Sequence, residues 1–456
     1  MARLTFSRIA ELTGGVVETG GDVEVTRVVI DSRETDESSV FFAIRGERHD
    51  GHSFLDSALE RAVGAVVDRP VNVAPGKGIV RVDDTTRALQ SLATGVRRMI
   101  DPQVAGITGS AGKTTTKEMV ATLVETERRT WRTKGNFNNH IGLPLSIANT
   151  PDDTEAIVAE MGMSGPGEIA LLARVAEPDI GIYTTIQPVH IEFFDSIDGI
   201  AAAKRELLEN MRQDGTVVVN ANDRRVVQIS EGFPGTIVSY GVETEADYRA
   251  ENLELRGLLG SAFELRAEGE SRMIELGLPG RFNLENLMAA IAAARSLGIS
   301  WDGVMRGIDQ VRPAKHRGEL VSIEDYRIYD DTYNSNPHAL SRALELLAKA
   351  DAEGRRIAVI GDMLELGRNE KKFHYDAGNL APASIDSIVA VGERSRAVLE
   401  GAIDAGFDRA NLFHFADAAS AAEFLRTFLR SGDLVLLKAS RGIGLDRVIE
   451  LLRGEA

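Results

Sequence analysis

Cysteine is absent from the 456 residues, which excludes disulfides, thiolate metal centres and a cysteine nucleophile, and is compatible with a reducing compartment. Long apolar runs are absent too. No stretch approaches the roughly 18 residues of a membrane-spanning helix, and the segment from Met1 to Arg8 lacks the apolar core of a secretion signal. Positive charge is in short supply: 52 Lys and Arg stand against 69 Asp and Glu, and the net charge of −17 repels nucleic acid and anionic membrane surfaces. Small anionic substrates stay compatible, because a few cations reverse that field inside one cleft. There is no internal repeat, heptad seam or low-complexity segment. These features lead us to expect a soluble, cytoplasmic, monomeric protein without nucleic acid partners or membrane insertion, long enough for about three domains.

What is present is organised around Val104-Ala-Gly-Ile-Thr-Gly-Ser-Ala-Gly-Lys-Thr-Thr-Thr116. An apolar run breaks into Gly109 and Gly112, and Lys113 opens a segment with Met119, Val120, Leu123 and Val124 at helical spacing. Strand, loop and helix in that order make a phosphate cradle. Glycines let backbone N–H groups turn toward phosphate oxygens, and the helix adds its unpaired first-turn donors and positive dipole end. Lys113 would reach the terminal phosphates, and the Thr114 hydroxyl would sit on the accompanying magnesium. The spacing is a variant of the usual phosphate loop, because Ile107 stands where a glycine is standard, with Gly106 and Gly109 on either side.

Residues 1–98 read as a small mixed α/β unit. Val25–Ile30 and Val40–Ile44 are strand candidates, each followed by a polar cluster that fits a ligand loop or ordinary turn chemistry. Residues 99–312 alternate strand and helix, which predicts a mostly parallel sheet. Within it, Ala156–Glu160 ends in a carboxylate, and Asp179–Ile186 runs toward His190. Ligands of open parallel sheets sit beyond the carboxyl ends of the strands, so Glu160 and His190 are placed to meet the phosphates, Glu160 as an oxygen ligand for magnesium. A helix over 200–211 carries Lys204, by residue type alone a surface lysine. Asn283 and Asn286 begin an alanine-rich helix, where they either cap it or bind a base or ribose. Residues 313–456 begin a fresh Rossmann-like alternation, but Gly361-Asp-Met-Leu-Glu-Leu-Gly367 is no dinucleotide fingerprint. The polar run Asp330–Pro337 lies at another ligand-facing strand end.

These blocks, taken in order, resemble the Mur ligase family over essentially the whole chain. The resemblance rests on Asp31-Ser-Arg33 with Phe41–Gly46, Gly109–Thr115, Asn136–Pro144, Glu160–Glu168, His190, Ala203-Lys204, Asn283 with Asn286, Asp330–Pro337, Gly361–Gly367 and Lys438-Ala-Ser-Arg441. It implies a three-domain α/β ligase: a UDP-sugar-peptide unit over 1–98, a central phosphate-loop ATP unit over 99–312 and a C-terminal Rossmann-like unit over 313–456 for the incoming dipeptide. The implied reaction joins D-alanyl-D-alanine to UDP-N-acetylmuramoyl-tripeptide through an acyl phosphate, with ATP and two magnesium ions, in cytoplasmic peptidoglycan precursor synthesis.

By the same resemblance Ser32 and Arg33 would contact the UDP-sugar, Asn139 and Ser164 its peptide arm, and Asn334 and Asn336 the acceptor side. Gly109, Ser110, Ala111, Gly112, Lys113, Thr114 and Thr115 would line the ATP phosphates. Thr114, Glu160, His190 and a carbamylated Lys204 would serve the metals. Asn283 and Asn286 would hold the adenosine, Arg317 the phosphates and Asp331 the ribose. The chain departs from the family pattern at Phe282, where His is usual, at Thr185 for Asn, at Gln187-Pro188 for a glycine-bearing turn, and at Ala439 for Gly. Two alternatives share the phosphate loop: the related ligase that adds a diamino acid to the dipeptide substrate, and an ATP-hydrolysing switch. Tyr333-Asn-Ser-Asn-Pro-His338 differs from the Asp-Asn-Pro-Arg acceptor motif of the diamino-acid enzyme. The polar clusters at 31–52 and 330–337 favour a ligase over a switch.

Overall fold

The structure is a computed structural model that describes residues 3–46, 49–188, 194 and 196–454. His190 lies outside the described residues. Three larger sheets organise the chain. The first runs Val16–Thr19, Gly78–Arg81, Gly64–Val67, Ser39–Phe42, Arg27–Val29, with only the first pair antiparallel. Its two middle glycines have a steric reason: a Cβ on Gly64 would stand 1.9 Å from the Gly78 carbonyl oxygen, and one on Gly78 would stand 2.4 Å from the Phe6 ring. Phe6 is therefore seated on bare backbone. The strand expected over Val25–Ile30 is two, Glu24–Val25 and Arg27–Val29. Between them the Thr26 and Arg27 N–H groups both donate to the Ser38 carbonyl, and the short pieces pair with different strands.

The helix Thr85–Ile100, capped by the Asp84 carboxylate on two N–H groups, spans residue 98 and joins the first sheet to the second. Its buried stripe of Leu89, Leu92, Ala93 and Val96 belongs to one continuous core with Phe6, Val40 and Phe42 on one side and Leu143, Ile157 and Ala159 on the other.

The second sheet has nine strands in the order Glu270–Leu276, Ser261–Ala267, Tyr248–Leu255, Thr236–Val242, Thr216–Asn220, Ile180–Tyr183, Gln103–Thr108, Ala156–Glu160, Thr130–Arg132. All pairs are parallel except the two at the Glu270–Leu276 edge. Successive residues of Ala156–Glu160 feed opposite cores: Ile157 and Ala159 enter the one shared with the first sheet. Ala156 and Val158 meet the helices Lys113–Glu125 and Arg281–Ser296. Two-sided burial explains why these strands read as unbroken apolar runs.

The third sheet runs Glu319–Ile323, Tyr326–Asp330, Leu434–Lys438, Arg356–Gly361, Ser387–Val391, Leu412–Phe415, parallel except for its first pair. The last strand in sequence inserts between two earlier ones, so a crevice opens at the carboxyl ends of Tyr326–Asp330 and Leu434–Lys438. Leu258, in the short turn Gly257–Leu259 of the second sheet, packs against the core of the third. Among the described residues no helix is long and apolar enough to cross a membrane.

Candidate active site

The strand Gln103–Thr108 lies inside the second sheet, and its carboxyl end delivers Gly109 to Gly112. Both glycines are required by their surroundings. A Cβ on Gly109 would lie 1.8 Å from Thr184 Oγ1, and Gly112, at φ +83°, would push one to 2.4 Å from Asn286 Oδ1. The loop between them is tied to the next strand end: the Ser110 N–H donates to the Thr185 carbonyl at 2.7 Å, the Ser110 hydroxyl to the Gln187 carbonyl at 3.0 Å, and the Thr184 hydroxyl to the Ala111 carbonyl at 2.6 Å. Gly112 caps the helix Lys113–Glu125 without a side-chain acceptor, so the first-turn N–H groups have no capping side chain. Such a terminus receives an anion.

Lys113 reaches back across the loop, donating to the Gly109 carbonyl at 2.7 Å. Desolvation lowers its pKa, the Glu160 carboxylate acts against that, and the Arg317 guanidinium adds to it. The Thr114 hydroxyl donates to Glu160 Oε2 at 2.8 Å, while Asn138 Nδ2 donates to Oε1 at 2.8 Å. Glu160 is 2% exposed, and its own N–H donates to Thr133 Oγ1 at 3.0 Å. Lys117, fully buried one turn along from Lys113, donates to the Thr133 carbonyl at 2.7 Å and lies 2.9 Å from Glu118 and 3.9 Å from Glu160 Oε2.

This donor set fits a magnesium–nucleotide complex. A hydroxyl and a carboxylate oxygen meet at the mouth of an anion-binding loop, and magnesium takes one or two carboxylates plus phosphate oxygens rather than an all-protein cage. Among the described residues no cluster of three or more His, Asp or Glu could enclose an ion on its own.

Lys204, on the helix Ile197–Asn210, is 3% exposed, not the surface lysine its residue type suggests. Burial holds its amine far below the usual lysine range, and Lys113 contributes a repulsive push. Asn286 accepts from the Thr116 hydroxyl at 3.2 Å and abuts Gly112, so it belongs to the phosphate-loop wall. Asn283 donates to the Pro279 carbonyl at 2.8 Å from inside the helix, and neither asparagine caps it.

On the third sheet, Asp331 receives the Lys438 ammonium; burial raises the Asp331 pKa and Lys438 acts against it. Lys438 also donates to the Asn334 carbonyl at 3.1 Å. The Arg317 guanidinium lies 3.8 Å from the Tyr333 ring centroid, fixed there by the Tyr333 N–H on the His316 carbonyl at 3.0 Å. Asn336 spends its side-chain oxygen capping the helix Pro337–Lys349.

The residues expected to contact the UDP-sugar and its peptide make local bonds. Ser32 opens a short turn after Arg27–Val29, where Asp31 accepts from Arg33 through N, Nε and Nη2, and the Arg33 hydrogen bonds pull the Asp31 pKa down to about 2. Asn139 Oδ1 accepts from the Ile141 and Gly142 N–H groups, and the Ser164 N–H donates to Glu168. Sequence reasoning missed Asn138 and Lys117. The first sits in the same Asn-rich motif as Asn139, and the second lies four residues after Lys113, on the same helix face. Of the departures, Ala439 is accommodated, since a Cβ on Gly361 would lie 2.6 Å from the Ala439 methyl. Thr185 keeps a buried hydroxyl without a hydrogen-bond partner.

Three sheets in an α/β chain, a phosphate loop on the middle one and a cation-rich crevice on the last define a protein of the nucleotide-binding phosphate-loop class. Two family profiles match the chain: the Mur ligase middle domain over residues 107–294, and the Mur ligase, glutamate ligase domain over residues 316–441. The chain is 34% identical to the UDP-N-acetylmuramoyl-tripeptide--D-alanyl-D-alanine ligase of Bacillus subtilis, across 99% of this chain and 98% of the relative. The Escherichia coli ligase of the same name is 30% identical, across 99% of both. Among solved structures, MurF from Acinetobacter baumannii matches with a TM-score of 0.91 at 30% identity, covering 100% of this chain and 99% of that one. MurF ligase from Thermotoga maritima in complex with ADP matches at 0.82 and 29%, covering 94% and 98%. The chain belongs to the Mur ligase family.

Proposed function

We propose that this protein is the ATP-dependent ligase that joins D-alanyl-D-alanine to UDP-N-acetylmuramoyl-tripeptide, releasing ADP and phosphate. The observation that carries the reading is the full-length likeness to ligases of that name, combined with a phosphate loop whose Thr114 hydroxyl already meets Glu160. A carboxylate oxygen is a poor leaving group, so amide formation needs activation. The tripeptide carboxylate attacks the γ-phosphate of ATP to give an acyl phosphate and ADP; the dipeptide amine then attacks the acyl carbon and expels phosphate. Two anions must meet, and Lys113 with the loop N–H groups supplies preorganised positive charge for that encounter.

Gly109, Ser110, Ala111, Gly112 and Thr115 shape the loop, Asn283 and Asn286 take the adenosine, Arg317 the phosphates and Asp331 the ribose. Ser32 and Arg33 serve the UDP-sugar, Asn139 and Ser164 its peptide, Asn334 and Asn336 the acceptor. Thr114 and Glu160 would hold magnesium, which would supply charge neutralisation on the phosphates. Burial disfavours the charged form of Lys204, which favours the amine that carbon dioxide requires: the nitrogen would bond the carbon, a proton would leave, and the side chain would become an oxygen-donating carbamate. His190 is assigned to the second metal. Residues 1–98, 99–312 and 313–456 act as the sugar-peptide, nucleotide and acceptor units of a cytoplasmic monomer.

An ADP-release assay with UDP-muramoyl-tripeptide and a panel of acceptors tests the proposal. Turnover with D-alanyl-D-alanine, lost roughly 100- to 1000-fold in Lys113→Ala, is expected. Activity confined to a diamino acid on the dipeptide substrate, or phosphate release indifferent to any acceptor, overturns it.

A further inference from the structure

The crevice at the carboxyl ends of Tyr326–Asp330 and Leu434–Lys438 holds three cations whose states differ. Lys438 is committed to Asp331 and to the Asn334 carbonyl. Arg317 and Arg441 form no ion pair among the described residues; both instead lie on the Tyr333 ring, at 3.8 and 5.1 Å from its centroid. Arg441 is exposed and opens the short turn Arg441–Ile443. That turn is anchored by Ser440, whose N–H donates to the Asp362 carbonyl at 3.0 Å and whose hydroxyl accepts from the Leu364 N–H at 3.0 Å. The same hydroxyl reaches the carbonyl of Ser335, itself a buried residue with an unpartnered hydroxyl beside the crevice. An anchored turn thus presents a guanidinium that no carboxylate among the described residues pairs with.

We propose that Arg441 takes the free carboxylate of the incoming dipeptide and thereby sets the requirement for an acceptor ending in an acid. The inference rests on the ligase reading above. The acceptor's amine has to reach the activated acyl group at the phosphate loop, and its carboxylate follows at a dipeptide's reach, roughly 7 Å away. Arg317 acts electrostatically on Lys113 and shares the Tyr333 ring with Arg441, so one ring links the phosphate side of the cleft to the second arginine. A carboxylate leaving water for that cleft needs a charge-assisted partner, and the planar fork of arginine matches it bidentately. Its place over the Tyr333 ring, 5.1 Å from the centroid, engages the guanidinium through its charge and leaves its N–H donors without a hydrogen-bond partner among the described residues.

The test compares D-alanyl-D-alanine with its C-terminal amide as acceptors for the wild type, Arg441→Ala, Arg441→Gln and Arg368→Ala, the last removing an exposed cation from the turn Gly367–Asn369, which follows the Leu364 segment bonded to Ser440. Wild type should prefer the acid. Both Arg441 variants should raise the acceptor KM roughly 10- to 100-fold and lose the preference for acid over amide, with the ATP KM unchanged. Arg368→Ala should behave as wild type. Retained acid preference in either Arg441 variant, its loss in Arg368→Ala, or equal use of acid and amide by the wild type overturns the inference while leaving the ligase reading intact. A wild type that turns over neither acceptor overturns both.

Discussion

Asn149 pairs with Val28 as a strand would. Its Oδ1 accepts the Val28 N–H at 3.0 Å, and its Nδ2 donates to the Val28 carbonyl at 2.9 Å, across 121 positions of sequence. One side chain of the second unit thereby completes the edge strand of the first. Asn149→Ala strands both backbone groups of a residue that is 2% exposed, and should cost about 2 kcal/mol. Urea unfolding checks this, and an unchanged midpoint would mean water replaces the amide without loss.

Lys117 is a buried cation behind the Glu160 carboxylate. Lys117→Met removes its bond to the Thr133 carbonyl and takes the cation away from the buried Glu160 carboxylate, while Glu118 keeps Arg132. A loss of about 3 kcal/mol is expected, partly recovered in the double variant Lys117→Met, Glu160→Gln. Additive losses in the double variant would show that the charge pairing is not the cause.

Lys204→Ala should lose turnover, and added bicarbonate should not rescue it, because the residue proposed to carry the carbamate is gone. A short carboxylic acid entering the vacated space should restore part of the rate by supplying the missing oxygen donor. Wild-type turnover in Lys204→Ala would dispose of the carbamate.

Glu268 closes a cluster at the edge of the second sheet: it accepts from Arg295, from the Tyr248 hydroxyl and from the Trp301 indole. The Arg295 hydrogen bond, opposed by burial, pulls its pKa from 4.5 down to about 2. A depressed carboxylate contributes stability that is complete above 4.5 and is lost as pH falls through about 2, because the unfolded chain binds the proton first. Glu268→Gln should therefore flatten the stability profile between those two values and leave its neutral limb parallel to wild type. An unaltered acid limb would refute the assignment.

The phosphate loop was legible because its chemistry is local: glycines, lysine and threonine at fixed spacing define a backbone shape before any packing is known. The strands at Ala156–Glu160, Thr216–Asn220 and Ser387–Val391 were equally plain, each a compact apolar run closed by polar residues. Local pattern fails where the partner is remote. Spacing could not say which of Asn138 and Asn139 faces Glu160; only the approach of the 133–139 segment to the neighbouring strand end decides it. Lys204 reads as a surface residue until the helix face it occupies is seen to be covered. The Tyr333 ring gathers residues 317 and 441, brought together only by the insertion of Leu434–Lys438 beside Tyr326–Asp330.

The shared interior of the first two sheets has a thermal corollary. Because Phe6, Phe42, Leu143 and Ile157 belong to one uninterrupted apolar mass, losing either sheet strips the cover from one whole face of the other, although each keeps a smaller or larger apolar cluster on its far side. Calorimetry on the intact chain should resolve two melting events, not three, with the Rossmann-like portion, whose own apolar clusters stand apart, supplying the second.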